Sequence, residues 1–433
     1  MPCVFASFID PNTATASDEL ELQNAINGAG TSPLRINIPN DILLYQTLTI
    51  PAGAKIDLHG DDNGHFIDSA SPNTFQLISV DSSPTVGTTC LHISNLSLSS
   101  GGGVQNGGAI GANQDYRVEV VVQEGSNIRS NYADNGGAIF VRNGAVKITE
   151  NSTISDNHAT FDGGGIYAPC VVVEDSSVVS RNEANRNGGG IYTQDYTQIN
   201  GQVSTNRATG NGGGIYIVGV GLLSGESCTV SANRADENGG GIYLASLNSV
   251  NAILDIRDAV ELSENRAALD GGAIWVAHSE LARLKTSRAV VFTRNGAQNS
   301  VPNRLPSDDA VYIANILSTI WTNPFIQGYN NFDIAYVPPL PCTVVGQRLV
   351  DIALPVAVRP FARVGTVISL CCGDPIIVPE YQSFVPSPSN CDFTIHQKVC
   401  VEVPVEFGAE VQPGEAHSEC TGESCEECDA IEE

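Results

Sequence analysis

The segment NRATGNGGGIY at 206–216 and its near copy NRADENGGGIY at 233–243 decide the fold. Each opens on an Asn-x-Ala triplet and closes on a glycine run followed by Ile and Tyr. Working outward, Gly-Gly-Ala-Ile or Gly-Gly-Ile is written seven times, ending on Ile110, Ile139, Ile166, Ile191, Ile215, Ile242 and Ile274, at intervals of 29, 27, 25, 24, 27 and 32 residues. Asn-x-Ala keeps step at Asn131, Asn157, Asn182, Asn206, Asn233, Asn265 and Asn295. Three residues before each Asn stands an apolar side chain: Ile128, Ile154, Val179, Val203, Val230, Leu262 and Phe292. One unit therefore reads as strand, Asn corner, polar turn, Gly-Gly, second strand.

A period near 25 residues with short strands and no helical periodicity excludes helical-hairpin arrays and fits the coil of a parallel β-solenoid, in which each unit buries its apolar side only against its neighbours. Like residues then stack on like. The asparagines are expected to form an internal ladder at a corner, and the glycines to supply conformations and close approaches that a Cβ forbids. At about 4.8 Å per coil, residues 35–320 make roughly eleven coils and a rod on the order of 50 Å long. Phe140, Tyr167, Tyr192, Tyr216, Tyr243 and Trp275 each follow a repeat isoleucine. Strand alternation puts them on the opposite, outer face as an aromatic row, readable as a sugar-stacking surface or as a ladder that stacks on itself. Arg207, Arg234 and Arg266 recur in successive units, with Glu237 or Glu264 as expected surface partners.

The pairing of hydrophobic-x-x-Asn-x-Ala with Gly-Gly-Ala-Ile over residues 104–297 resembles the repeats of polymorphic outer membrane proteins and related right-handed β-helix adhesins. The resemblance implies a right-handed, single-stranded parallel β-helix. That pattern includes a signal peptide and a membrane barrel, and neither is legible here. Upstream, DELELQNAIN (18–27) reads as a capping helix, with Leu20, Leu22, Ala25 and Ile26 as its apolar residues. The strands and the Ile-Pro-Ala-Gly turn at 50–53 then resemble the cap and first coils of pectate-lyase-like β-helices. A cap is needed because an open solenoid end is an exposed sheet edge.

The chain has 433 residues, 48 acidic against 21 basic side chains and a formal net charge of −27, a balance that repels phosphate backbones and anionic lipid. Neither nucleic acid nor membrane insertion is expected. With 42% hydrophobic but only 6% aromatic residues, the core must be aliphatic. Twelve cysteines suggest disulfides, although no leader is legible before Arg35, the first basic residue.

After Asn330 the repeats stop, and Pro338-Pro339-Leu340-Pro341 reads as a boundary. The expected organisation is an arm at 1–17, cap and first coils at 18–60, repeats at 61–330, a linker at 331–341, a Cys-rich antiparallel β domain at 342–415 and an acidic tail at 416–433. The run FTIHQKVCVEVPVEF (393–407) alternates as a half-solvated strand does. The surrounding segment from Cys391 resembles surface-layer proteins of spore-forming Firmicutes, a resemblance that implies a protein which reaches a spore surface without a leader and is crosslinked there.

The crosslink candidates are Cys3, Cys342, Cys371, Cys372, Cys391, Cys400, Cys420, Cys425 and Cys428, with an intramolecular bridge or a reduced thiol as the plainer role for any one of them. Cys420, Cys425 and Cys428 with His417 could instead bind zinc, but a three-cysteine cluster is short of a zinc knuckle and no metal is assigned. The acids of the repeats are scattered, and Asp61-Asp62 and Asp308-Asp309 are the only adjacent aspartates. No catalytic constellation and no cofactor follow from that pattern. The reading is a structural surface protein whose partners are itself or other layer proteins through disulfides. A glycan-binding adhesin and a polysaccharide-degrading enzyme are the alternatives.

Overall fold

The structure is a computed structural model; it describes residues 11–61, 64–245, 253–276, 284–286 and 289–297, together with Cys3, Phe5 and the short strands Ile334–Tyr336, Ile368–Leu370 and Cys400–Glu402. The chain divides into two units, residues 1–336 and 337–433.

The first unit is the right-handed parallel β-helix. Every strand pairing described in it is parallel, and the register puts each repeat position on its counterpart one coil away. Ile191 lies between Ile166 and Ile215, Val203 between Val179 and Val230, and Ala208 between Ala184 and Ala235. Three sheets result, one of nineteen strands, one of ten and one of eight. The ten-stranded sheet carries the apolar residue three before each Asn, and the eight-stranded sheet carries the Ala of Asn-x-Ala.

The nineteen-stranded sheet has two strips. Its first follows each glycine run. Its second, which the Gly-Gly and Asn marks do not announce, stacks Leu34, Ile56, Leu91, Val120, Val146, Val171, Thr197, Gly221, Leu254 and Leu284. Most inward side chains of all these strips are fully buried in one continuous aliphatic core. Such identical stacking is what a chain with few aromatic residues needs, because Ile on Ile and Val on Val fill equal volumes at every level.

The glycines are required by two constraints. Gly188 and Gly212 have φ of +67° and +68°, a region that penalises a side chain. A Cβ on the following Gly189 would press on the backbone of Gly213 and Arg207 in the next coil.

At the lower end the helix α1 (Glu19–Asn27) closes the core with Leu22 and Ile26, both fully buried, while Leu20 is exposed. Asp18 caps it by accepting from the Glu21 N–H at 2.9 Å. Glu19 accepts from the N–H groups of Tyr45 and Gln46, each at 3.1 Å, and so ties the helix to the first coil.

Two expected boundaries move. Asn12–Thr15, placed in the arm, is a strand paired with Pro33–Ile38. Ile334–Tyr336, placed in the linker, stacks on Ile274–Val276, so the β-helix unit runs on to Tyr336. In the second unit, the described residues form one antiparallel pair, Ile368–Leu370 with Cys400–Glu402.

Candidate functional site

The seven predicted asparagines stand in one buried column. In each step the side-chain Oδ1 accepts from both the N–H and the Nδ2 of the Asn one coil below. For Asn182 these distances are 3.1 and 2.9 Å from Asn157. The Nδ2 of Asn182 in turn donates to the Ile154 carbonyl at 3.0 Å and to Asn206 Oδ1 at 3.0 Å. The column starts at the Gly101 N–H, which donates to Asn131, and continues to Asn295. It answers the question of where the backbone groups of a tight corner find partners without water. The residue just before each Asn is left-handed: Ser130, Asp156, Arg181, Thr205, Ala232, Glu264 and Arg294 all have φ between 53° and 58°. These non-glycine positions share no residue type, so the repeat carries no sign of them.

The aromatic row exists as a continuous stack. Ring centroids from Phe140 to Trp275 are separated by 5.0, 4.7, 4.9, 4.9 and 4.3 Å, and the last four ring pairs lie within 10° of parallel. Each inner ring spends both faces on its neighbours, so the row shows solvent its edges and hydroxyls. A sugar that stacks face-on finds no free face on the four tyrosines between Phe140 and Trp275. The Tyr167 hydroxyl meets Gln194 Nε2 at 2.7 Å. Burial pushes the phenols of Tyr167, Tyr192, Tyr216 and Tyr243 above their ordinary value, with neighbouring rings and acids as smaller causes.

A second ladder escaped the sequence reading. From Asp162 to Asn238 the residue preceding the glycine run accepts from the next coil: Asn187 N–H donates to Asp162 at 3.1 Å, Asn211 N–H to Asn187 at 3.0 Å, Asn238 N–H to Asn211 at 3.1 Å and Asp270 N–H to Asn238 at 3.2 Å. The signal was available, since that position is Asn or Asp in all seven units. Arg186 adds a bond from its Nε to Asp162 at 2.8 Å and lies 5.4 Å from the centre of the Phe161 ring.

The arginine partners differ from those expected. Arg207 bridges Glu183 at 2.7 Å and Asp236 at 2.6 Å, and Arg234 also meets Asp236, at 3.0 Å. Glu237 instead accepts from Asn211, and Glu264 pairs with Arg294. Shifts of two or three residues along a turn decide such pairings, and the spacing in sequence does not resolve them.

The outward side of the second strip also holds an unpredicted buried polar group. Asp57 accepts from Arg35 Nε at 2.7 Å and from the Ser94 hydroxyl at 2.6 Å, and Glu119 accepts from Arg117 Nε at 3.0 Å. His92 shares this strip, and burial lowers its pKa against the opposing pull of Asp57 and Glu119. Alternation alone would have assigned these residues to solvent. Among the described residues no three His, Cys, Asp or Glu are placed to hold a metal ion. Asp61 faces His65 at 3.0 Å, whereas Asp62, Asp308 and Asp309 lie outside the described residues.

Cys3 needs correction as an intermolecular candidate: it is bonded to Cys170, with the Cα atoms 5.9 Å apart. Cys90 and Cys228 are free but buried, and burial pushes both thiols up to about 12, far from the thiolate form that reacts. The Cys400 backbone lies in a strand. Cys342, Cys371, Cys372, Cys391, Cys420, Cys425 and Cys428 lie outside the described residues, as does His417.

With this geometry in place, a model of the right-handed beta helix region matches residues 78–256. These coils are a right-handed β-helix. A solved structure described as L. reuters 100-23 SRRP is similar at 12% identity with a TM-score of 0.31, over 67% of this chain and 96% of that one. A likeness of that degree bears on neither ligand nor role. No curated protein matches the chain.

Proposed function

We propose that the protein is a structural rod of a cell or spore surface, its β-helix serving as a stiff shaft and its Cys-rich C-terminal region joining copies or neighbouring layer proteins through disulfides. The observation that carries this reading is longitudinal: two Asn/Asp ladders and an aromatic stack run from coil to coil and spend their hydrogen-bonding groups and ring faces along the axis. Cohesion invested along the axis resists bending and unwinding, the property a shaft needs. With Cys3 in an intramolecular bond and Cys90 and Cys228 buried, crosslinking falls to the cysteines from Cys342 onward.

Native material run with and without reductant, and viewed by negative-stain microscopy, tests the proposal. Reductant-sensitive ladders or fibres that disappear when the C-terminal cysteines are replaced by serine are the expected result. A clean monomer under both conditions overturns it. Glycan binding weakened by Tyr192→Ala would instead favour an adhesin that reads sugars along the edges of the row.

A further inference from the structure

A solenoid couples each coil only to its neighbours, so it opens from its ends, coil by coil. The Cys3–Cys170 bond departs from that rule. The strand Asn12–Thr15 lies at the lower end of the second strip, and Cys170 stands six strand steps along the same strip, on the order of 29 Å away. The two bonded cysteines are 167 positions apart in sequence, a stretch that includes α1 and the first coils. Among the described side chains it is the covalent link between distant levels of the stack.

We propose that the Cys3–Cys170 bond is a redox-sensitive staple that sets the opening free energy of the N-terminal coils alone, leaving the coils beyond Cys170 untouched. When the N-terminal coils peel away from the shaft, the bond keeps the opened chain closed as a loop and removes much of the entropy that opening would gain. Coils above Cys170 lie outside that loop and gain nothing from it. In reducing surroundings the N-terminal end is therefore the soft end of the shaft. A small-molecule disulfide sets it: one cysteine thiolate attacks the reagent and forms a mixed disulfide, the second displaces the remaining small thiol, and two electrons pass to the reagent as two small thiols leave.

The inference goes beyond the structural-rod reading and does not depend on assembly. The molecule carries its own reporters, because Cys90 is buried inside the stapled loop and Cys228 is buried beyond it. The experiment is alkylation of the full chain by iodoacetamide under native conditions, with the labelling of each cysteine followed by peptide mass analysis. The oxidised protein is compared with Cys3→Ser and Cys170→Ser, both replacements of partly exposed side chains. Cys90 labelling is expected to rise roughly 30-fold or more in both variants, with Cys228 labelling unchanged. Adding reductant to the unmutated protein should reproduce the rise, and reoxidation with oxidised glutathione should reverse it. Unchanged Cys90 labelling overturns the proposal, as does an equal rise at Cys228, which would mean that the bond stabilises the shaft as a whole.

Discussion

Thr197 sits in the inward column of the second strip, between Val171 and Gly221, fully buried, and its Oγ1 has no hydrogen-bond partner. Thr197→Val keeps the shape and removes the stranded hydroxyl, so it should raise stability by about 1–2 kcal/mol, visible as a higher unfolding temperature in calorimetry. Ala232 offers a second test, since it holds φ at 54° with a Cβ that this region disfavours. Ala232→Gly should stabilise by about 1 kcal/mol, whereas Ala208→Gly in the buried column of the eight-stranded sheet should destabilise. Opposite signs for the same substitution 24 residues apart would confirm that the corner, and not the repeat residue, stores the strain.

Among the repeated elements, the two ladders differ in burial and should differ in weight. Asn182→Ala removes the acceptor for Asn157 and the donor to Ile154 and Asn206 in a dry corner, leaving several buried groups without partners. A loss of about 3–5 kcal/mol is expected, with hydrogen exchange faster in the coils on both sides. Asn211→Ala breaks the half-buried ladder, where water can replace the lost bonds, and should cost about 1 kcal/mol. The aromatic stack belongs to the same scale. Tyr216→Leu interrupts two ring contacts of 4.9 Å and should weaken the shaft by about 1–2 kcal/mol while changing the near-ultraviolet circular dichroism.

For the whole molecule, the raised acids set a limit on the alkaline side. Cys90 and Cys228 hold their protons up to about 12 in the fold, but lose them near the ordinary thiol value of 9.0 once unfolded. The four stacked phenols shift in the same direction. Above pH 9 the unfolded chain thus binds fewer protons than the native one, so stability falls as pH rises through that window. Urea unfolding at pH 8 and pH 10.5 should show a lower midpoint at the higher pH, and Cys90→Ala with Cys228→Ala should reduce the difference. The β-helix, its coil period, the Asn column and the stacking of the aromatic residues on one face were all legible in the sequence. In a solenoid, neighbours in space are copies in sequence, and periodicity alone then brings Ile191 to Ile215 and Asn182 to Asn206. What breaks the period had to come from the tertiary structure. The Cys3–Cys170 bond, the buried Asp57–Arg35 group, the arginine partners and the left-handed corners depend on where unlike residues from unequal turns meet, and no repeat encodes that distance.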